Sequence, residues 1–187
     1  MVNSAVKRFW PLLALSLAAA CKKDAIEVRR VPKEAAPAPA ELAEAPRPAA
    51  GLTWSLPAGW TERAGNAMRV ATLVPPQGPG KAEVTVVALP GDVGGELANV
   101  NRWRGQLALP PVTEAQLPAA RARLRCPAGT ALVYDLLGTG EKKTRMVAAM
   151  LQVSGTTWFF KLMGDDQAVG AAKPAFLTLV RGLKSGA

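Results

Sequence analysis

The sequence predicts an α+β domain built on one antiparallel sheet of about six strands, with helices packed against the sheet. Three observations predict this class. Six segments rich in β-branched, aromatic and other apolar residues follow Gly51. Several links between them are too short for anything but hairpins, because a parallel crossover needs a dozen residues or more. Two further segments show helical periodicity.

The first twenty residues have the layout of a signal peptide. Lys7 and Arg8 precede an uncharged apolar run, FWPLLALSLAAA, which is about a dozen residues long. A helix that crosses a bilayer needs roughly 20 such residues. The run therefore has the length of a signal-peptide core, and it predicts export instead of a permanent transmembrane helix.

Cys21 follows this run directly and allows two interpretations. Residues 18–20, all alanine, suit an ordinary signal peptidase, which would leave Cys21 as a plain N-terminal residue able to form a disulfide with Cys126 in an exported compartment. The same stretch resembles the lipobox of bacterial lipoproteins, whose invariant cysteine is acylated, although Ala18 stands where that motif prefers leucine. We expect lipidation, because a long spacer suited to a tethered domain follows Cys21 directly.

The lipobox resemblance implies a membrane location. Acyl chains such as palmitate on Cys21 would hold the protein to a bilayer, at about 0.8 kcal/mol per buried methylene, so that two or three chains bind almost irreversibly. Lys22, and not aspartate, follows the cysteine. By similarity to enterobacterial sorting, this favours the outer membrane over the inner one, on the periplasmic side of the envelope.

Residues 21–50 are predicted to be a linker, and residues 51–187 a single globular domain. The linker is rich in alanine, proline and charged residues, as in VPKEAAPAPAELAEAPRPAA, and contains no aromatic residue. Such a composition cannot bury enough apolar surface to offset the entropy lost on ordering. We therefore expect a disordered, semi-extended tether that reaches up to ~3.1 Å per residue.

The predicted strands follow the turn-forming stretch PAGW at 57–60. They cover residues 68–74, 82–89, 122–126, 130–138, 144–153 and 156–164. The short links TGEKK at 139–143 and SG at 154–155 make the last three strands an antiparallel meander.

Two helices are expected. The first spans Glu96 to Leu107, after a glycine-rich loop, and the second follows Asp165 and Asp166, whose carboxylates suit a helix N-terminus. Pro174 fits poorly inside the second helix. Its regular part is therefore expected to start at Lys173, with Pro174 in the first turn.

The first helix carries the candidate binding residues. Its apolar face has Trp103 at the border, and a polar stripe lies beside it at spacings i, i+3 and i+7. In one interpretation Trp103 and the arginines are anchors for a partner. In the other, Trp103 fills the core and the amides hold neighbouring loops. The candidate set is Asn99, Asn101, Arg102, Trp103, Arg104 and Gln106.

The composition excludes several kinds of functional site. The chain has a formal net charge of +9 and no histidine, which excludes hydrolytic triads that use histidine and removes the commonest metal ligand. The stretch PPQGPGK lacks the full phosphate-loop pattern, and no carboxylate pair stands out. We therefore expect a protein that is not an enzyme and has no metal and no cofactor. Nucleic acid is not an expected partner, because export separates the domain from it.

Four segments, WSLPAGW, NVNRWRGQL, WFFKLMG and KPAF, resemble an uncharacterised family of bacterial lipid-anchored proteins over about residues 52–183. Ala108 departs from the glycine that closes the NRWRGQ motif in that family. More distantly, the layout is similar to the PsbP/Mog1-type α/β/α sandwich. The resemblance implies an antiparallel sheet with helices on both faces, and a role as an assembly factor or regulatory subunit without an assigned reaction.

Two functional hypotheses follow. The first is a lipid-anchored, non-catalytic module that binds a protein or an envelope component through the helix face around Trp103. The second is a domain that binds a small molecule or anion with Arg102 and Gln106. An exposed apolar patch around Trp103 would favour the first hypothesis. A deep pocket bordered by Arg102 and Gln106 would favour the second.

Overall fold

A seven-stranded antiparallel sheet forms the centre of the computed structural model, which describes residues 51–76, 78 and 80–186. The predicted signal peptide, Cys21 and the linker lie outside the described residues. The strands are β1 Leu52–Thr53, β2 Thr61–Asn66, β3 Arg69–Val74, β4 Ala82–Pro90, β5 Ala122–Cys126, β6 Gly129–Leu137, β7 Thr144–Val153, β8 Thr156–Asp165 and β9 Lys184–Ser185. Their order across the sheet is β2-β3-β4-β8-β7-β6-β5, and β1 pairs with β9 in a separate short ladder.

Three α-helices accompany the sheet: α1 Gly95–Gln106, α2 Leu117–Ala120 and α3 Asp166–Arg181. Helix α3 packs on one face of the sheet, and α1 with α2 packs on the other. The predicted class, an antiparallel sheet flanked by helices, is therefore confirmed. The meander of β6, β7 and β8 is present as expected.

Alternation along the central strands builds two separate cores. On β8, Trp158 and Phe160 point toward α3, while Phe159 between them points toward α1. Successive residues of a strand face opposite sides of the sheet. A strand that is covered on both faces is consequently apolar at almost every position, which is why TRMVAAMLQV and TTWFFKLMG contain so few polar residues.

Strand β2 is a strand that the sequence does not predict. Its sequence, TERAGN, contains no large apolar residue, and all six positions are exposed. It lies at the edge of the sheet and pairs only with β3. Edge strands with charged side chains are tolerated because solvent covers them and the charges oppose aggregation. The stretch at 52–56 forms a strand only over Leu52–Thr53.

Helix α3 differs from the expectation that its regular part starts at Lys173. The helix is continuous from Asp166, and Pro174 lies inside it. An interior proline removes one backbone hydrogen bond and costs ~3 kcal/mol or more. Fully buried Val169, Phe176 and Val180 offset this cost by packing against the sheet. Tertiary packing thus overrides the local signal.

Ion pairs fix the start of α3 on the sheet. Arg145 on β7 donates to both carboxylate oxygens of Asp135 on β6, at 2.7 and 2.6 Å, and to Asp166 at 3.2 Å. Lys173 donates to Asp135 at 2.6 Å. Burial opposes the charge of Asp135, but the hydrogen bonds from Arg145 and Lys173 outweigh it, so its pKa is lowered.

The end of α1 has a well-defined geometry. The N–H groups of Ala108 and Leu109 donate to the carbonyls of Gly105 and Arg104, at 3.2 and 2.9 Å, which is the pattern of a Schellman motif. That motif requires a left-handed residue, and Ala108 adopts it with φ 55°. The alanine at this position closes the helix in a conformation that glycine adopts more readily, at a cost in strain.

Candidate functional site

Asn99 secures the N-terminal end of α1. Gly94 precedes the helix with φ 77°, a conformation that glycine adopts without strain. The Asn99 amide donates to the carbonyls of Val93 and Gly95, at 2.8 and 2.7 Å, and the side chain is 2% exposed. Asn99 therefore holds the glycine-rich loop and is not available to a ligand.

Asn101 and Arg104 organise the loop that follows α1. Asn101 donates to the Val112 carbonyl at 2.9 Å and accepts from the Val112 N–H at 2.8 Å. Arg104 donates through Nε to the Pro110 carbonyl at 2.6 Å. These bonds satisfy backbone groups that the irregular chain would otherwise leave unpaired, so both side chains act in folding.

Trp103 fills the core beneath α1. It is 3% exposed, and it makes edge-to-face contacts with Tyr134 and Phe159, each with ring centroids 6.1 Å apart. An exposed apolar patch centred on this indole is therefore not present among the described residues. The structural interpretation of the sequence describes Asn99, Asn101, Trp103 and Arg104 better than the partner-binding one.

Arg102 and Gln106 are the exposed members of the candidate set. Gln106 borders a small cavity of about 160 Å³ beside Lys142 and Thr144 at the β6–β7 hairpin, and Arg102 is not among the residues that line it. Arg102 instead lies close enough to Lys161 on β8 for its charge to lower the pKa of that lysine.

A cluster of polar side chains that the sequence did not single out joins the first turn of α1 to β6 and to the residue before β5. The Tyr134 hydroxyl donates to Glu96 in the first turn of α1, and Arg121 donates to the other carboxylate oxygen at 2.5 Å. Burial and the neighbouring Glu96 charge raise the pKa of Tyr134. The residue types suit such a cluster, but no local pattern indicates it, because Glu96, Arg121 and Tyr134 are separated by up to 38 positions in sequence.

The face of the sheet under α1 has a polar half beside its apolar half. Residues directly opposite one another on neighbouring strands lie on the same face. The pairs Arg63 with Thr72, Thr72 with Thr85 and Thr85 with Lys161 therefore place two hydroxyls between two cations in a row from β2 to β8. The row continues from Lys161 to Ala148 on β7, on the side covered by α1.

Longer side chains gather around this row. Glu83 on β4 accepts from Arg63 at 3.2 Å and pairs with Arg69 at 3.5 Å. We call the group the Lys161 face; it comprises Arg63, Arg69, Thr72, Glu83, Thr85, Arg102 and Lys161. The pKa of Lys161 is lowered by burial and by the charges of Arg69 and Arg102. The face is thus positive and incompletely hydrated.

The chain shows similarity to known proteins in its structure. No family model matches the chain, and no curated protein matches it. Among solved structures, the chain is similar to LpqN of Mycobacterium tuberculosis, which is described as involved in cell envelope biogenesis. The TM-score is 0.46 and the identity 12%, and the match covers 73% of this chain and 83% of that chain.

Cyanobacterial PsbP from Synechocystis is also similar, with TM-score 0.43, 14% identity, and 73% of this chain and 93% of that chain covered. A protein from Bacteroides thetaiotaomicron gives TM-score 0.46 and 10% identity over 72% of this chain, and the match spans 44% of that protein's length. A PsbP-type structure is therefore among those similar to this chain, as the sequence led us to expect. The uncharacterised lipid-anchored family stays a prediction.

A second concave surface adjoins the Lys161 face and shares Arg63 and Glu83 with it. It has a volume of about 740 Å³ and runs between α3 and the β2–β3 hairpin. Trp60 and alanines of α3 such as Ala168 and Ala172 line it, and Arg63, Lys81 and Glu83 lie at its polar rim. It is mainly apolar, whereas the Lys161 face presents charges and hydroxyls.

Two further findings bear on the site. The described residues contain no group of three or more His, Cys, Asp or Glu side chains placed to hold a metal ion. None of the helices in the described part of the chain is long and apolar enough to cross a membrane.

Proposed function

We propose that the protein is an exported, lipid-anchored, non-catalytic envelope module that holds a binding domain at a membrane surface. The observation that carries this proposal is the position of Cys21, directly after the apolar run of a signal peptide and directly before a linker rich in alanine and proline. Acyl chains on Cys21 attach the chain to the periplasmic side of the envelope, with the outer membrane favoured over the inner one.

The physical basis is the energy of acyl-chain burial. Each methylene buried in the bilayer contributes about 0.8 kcal/mol, so the two or three chains of a lipoprotein outweigh the cost of restraining the domain. Lys22 and Lys23 add on the order of 1 kcal/mol each near anionic lipid. The linker then lets the domain sample positions tens of ångströms from the surface, at up to ~3.1 Å per residue.

The binding role belongs to the exposed side of α1 and the neighbouring sheet, and no longer to Trp103. Arg102 is the candidate residue that is both exposed and close to Lys161, whose ammonium forms no ion pair within the described residues. An envelope component or protein with negative charge would fit this side. A role of the domain as a binder of small anions, the second hypothesis from the sequence, would share Arg102 with this side, whereas Gln106 borders the separate cavity at the β6–β7 hairpin.

The anchor is tested by growing cells with an alkyne analogue of palmitate and measuring label and membrane fractionation. We expect the wild-type chain to be labelled and to enter the detergent phase on phase partitioning. Cys21→Ala should lose both properties. Cys126→Ser is the matched control, since it removes the other thiol of the chain and should change neither. Label retained in Cys21→Ala, or an unmodified mass at Cys21, contradicts the proposal.

A further inference from the structure

We propose that the Lys161 face is a binding site for a phosphate group. This inference rests on the proposed binding role, but not on the lipid anchor. The face is assembled from four strands and one helix, since Arg63, Arg69, Thr85 and Lys161 come from β2, β3, β4 and β8, and Arg102 comes from α1. Cations that are distant in sequence meet here.

Charge balance is the first argument. Four cations, from Arg63, Arg69, Arg102 and Lys161, face one carboxylate, that of Glu83. Glu83 is engaged by Arg63 and Arg69. Within the described residues, Lys161 forms no ion pair, and the charges nearest to it are like charges. A half-buried ammonium between two guanidinium groups is costly unless an anion joins it.

The hydroxyls are the second argument. Thr85 lies directly opposite Lys161, and Thr72 directly opposite Thr85, so their Cβ atoms are about 5 Å apart from strand to strand. Within the described residues, neither hydroxyl forms a hydrogen bond, in contrast to the hydroxyls of Thr157 and Thr178. An oxyanion above Thr85 and Lys161 would accept from an ammonium and a hydroxyl together.

Phosphate fits this donor set better than carboxylate. A phosphate monoester carries about −1.5 to −2 charges at pH 7 and three strong acceptor oxygens, whereas a carboxylate carries one charge and two oxygens. The excess positive charge of the face exceeds one. Arginine forks also match phosphate geometry in a bidentate manner. The phosphate can belong to a lipid headgroup or to a soluble molecule, and the test separates these sources.

The test is calorimetric titration of the full chain, in micelles of a maltoside detergent that contains no phosphate, with inorganic phosphate at constant ionic strength. We expect saturable binding. Lys161→Met should weaken it at least about tenfold and Arg102→Ala about threefold to tenfold, as charge-assisted hydrogen bonds are lost. Lys161→Met removes an unpaired half-buried charge and should fold, which circular dichroism checks. Arg125→Ala, an exposed cation on β5 at the opposite edge, is the matched control and should change binding less than about twofold.

Repeating the titration after phosphatidylglycerol is added to the micelles identifies the source. If phosphate no longer binds there, a lipid headgroup occupies the face. If phosphate binds equally well, the ligand is a soluble phosphate compound. Both outcomes support the site. Absence of saturable binding in the detergent alone, acetate binding as tightly as phosphate, or equal losses in Arg125→Ala and Lys161→Met would overturn it. None of these results depends on whether Cys21 carries the anchor.

Discussion

Replacing Trp103 by alanine distinguishes a core residue from a contact residue. The indole is 3% exposed, and an aromatic side chain of this kind buries 150–250 Å². At about 25 cal/mol per Å², that area corresponds to roughly 4–6 kcal/mol. Two edge-to-face contacts, with Tyr134 and Phe159, are lost as well, and residual burial of alanine reduces the sum. We expect a loss of about 4 kcal/mol, within the usual range for such truncations.

The assay is urea unfolding of the full chain at 25 °C, followed by circular dichroism. Should Trp103→Ala fail to fold, Trp103→Phe keeps part of the packing and should cost about 1–2 kcal/mol. The neighbouring change Arg102→Ala removes an exposed side chain and should alter stability by less than about 0.5 kcal/mol. A loss below about 1 kcal/mol for Trp103→Ala would refute the assignment of the indole to the core.

Three further predictions follow from contacts described above. Ala108→Gly relieves a left-handed alanine and should stabilise the domain by about 1 kcal/mol, whereas Ala98→Gly, in the exposed interior of α1, should destabilise it by about 1 kcal/mol, both read from urea midpoints; stabilisation by neither or by both would contradict the cap geometry. Tyr134 is the one tyrosine of the chain, so the rise in absorbance at 295 nm with increasing pH reports the ionisation of this residue alone. Its raised pKa means that stability is fully present below pH 10 and falls as the pH rises further, and a folded protein whose phenol titrates near 10 would show that the Glu96 contact is absent. Asp135→Asn should cost about 1–2 kcal/mol at pH 7, and the difference from wild type should shrink as the pH falls below 3.8, because the lowered pKa of Asp135 makes its contribution disappear only in acid; parallel acid-unfolding curves would argue against this pairing.

The central strands were predictable because their burial is visible in the local sequence. Strands β7 and β8 are covered on both faces, so nearly every position is apolar, and the two-residue link with Ser154 at φ 50° and Gly155 at φ 75° is a hairpin turn of the primed type. Strand β2 was not predictable in this way, because an exposed edge strand requires no apolar residues. The start of α3 was predicted wrongly, because contacts with other elements offset the cost of Pro174 inside the helix.

The candidate site was only partly predictable for a related reason. Helical periodicity placed Arg102 and Trp103 on α1 correctly, but it could not decide which side of the helix faces the sheet. The sheet settles this, because Tyr134 and Phe159 provide the surface on which Trp103 packs. Lys161 stood in an apolar strand and gave no signal. Its importance depends on pairing with Thr85, 76 positions earlier in the chain, which no local pattern encodes.

The short ladder of β1 and β9 brings the two ends of the domain together. Leu52 lies opposite Ser185, and the Gly186 N–H donates to the Gly51 carbonyl at 3.4 Å. The two ends of the domain are therefore adjacent. A short peptide could join them, and new termini could be opened at the Ser154–Gly155 turn. Leu52 packs on the α3 side, so a fluorescent protein or affinity handle attached at either end would leave the opposite face of the sheet free for measurement.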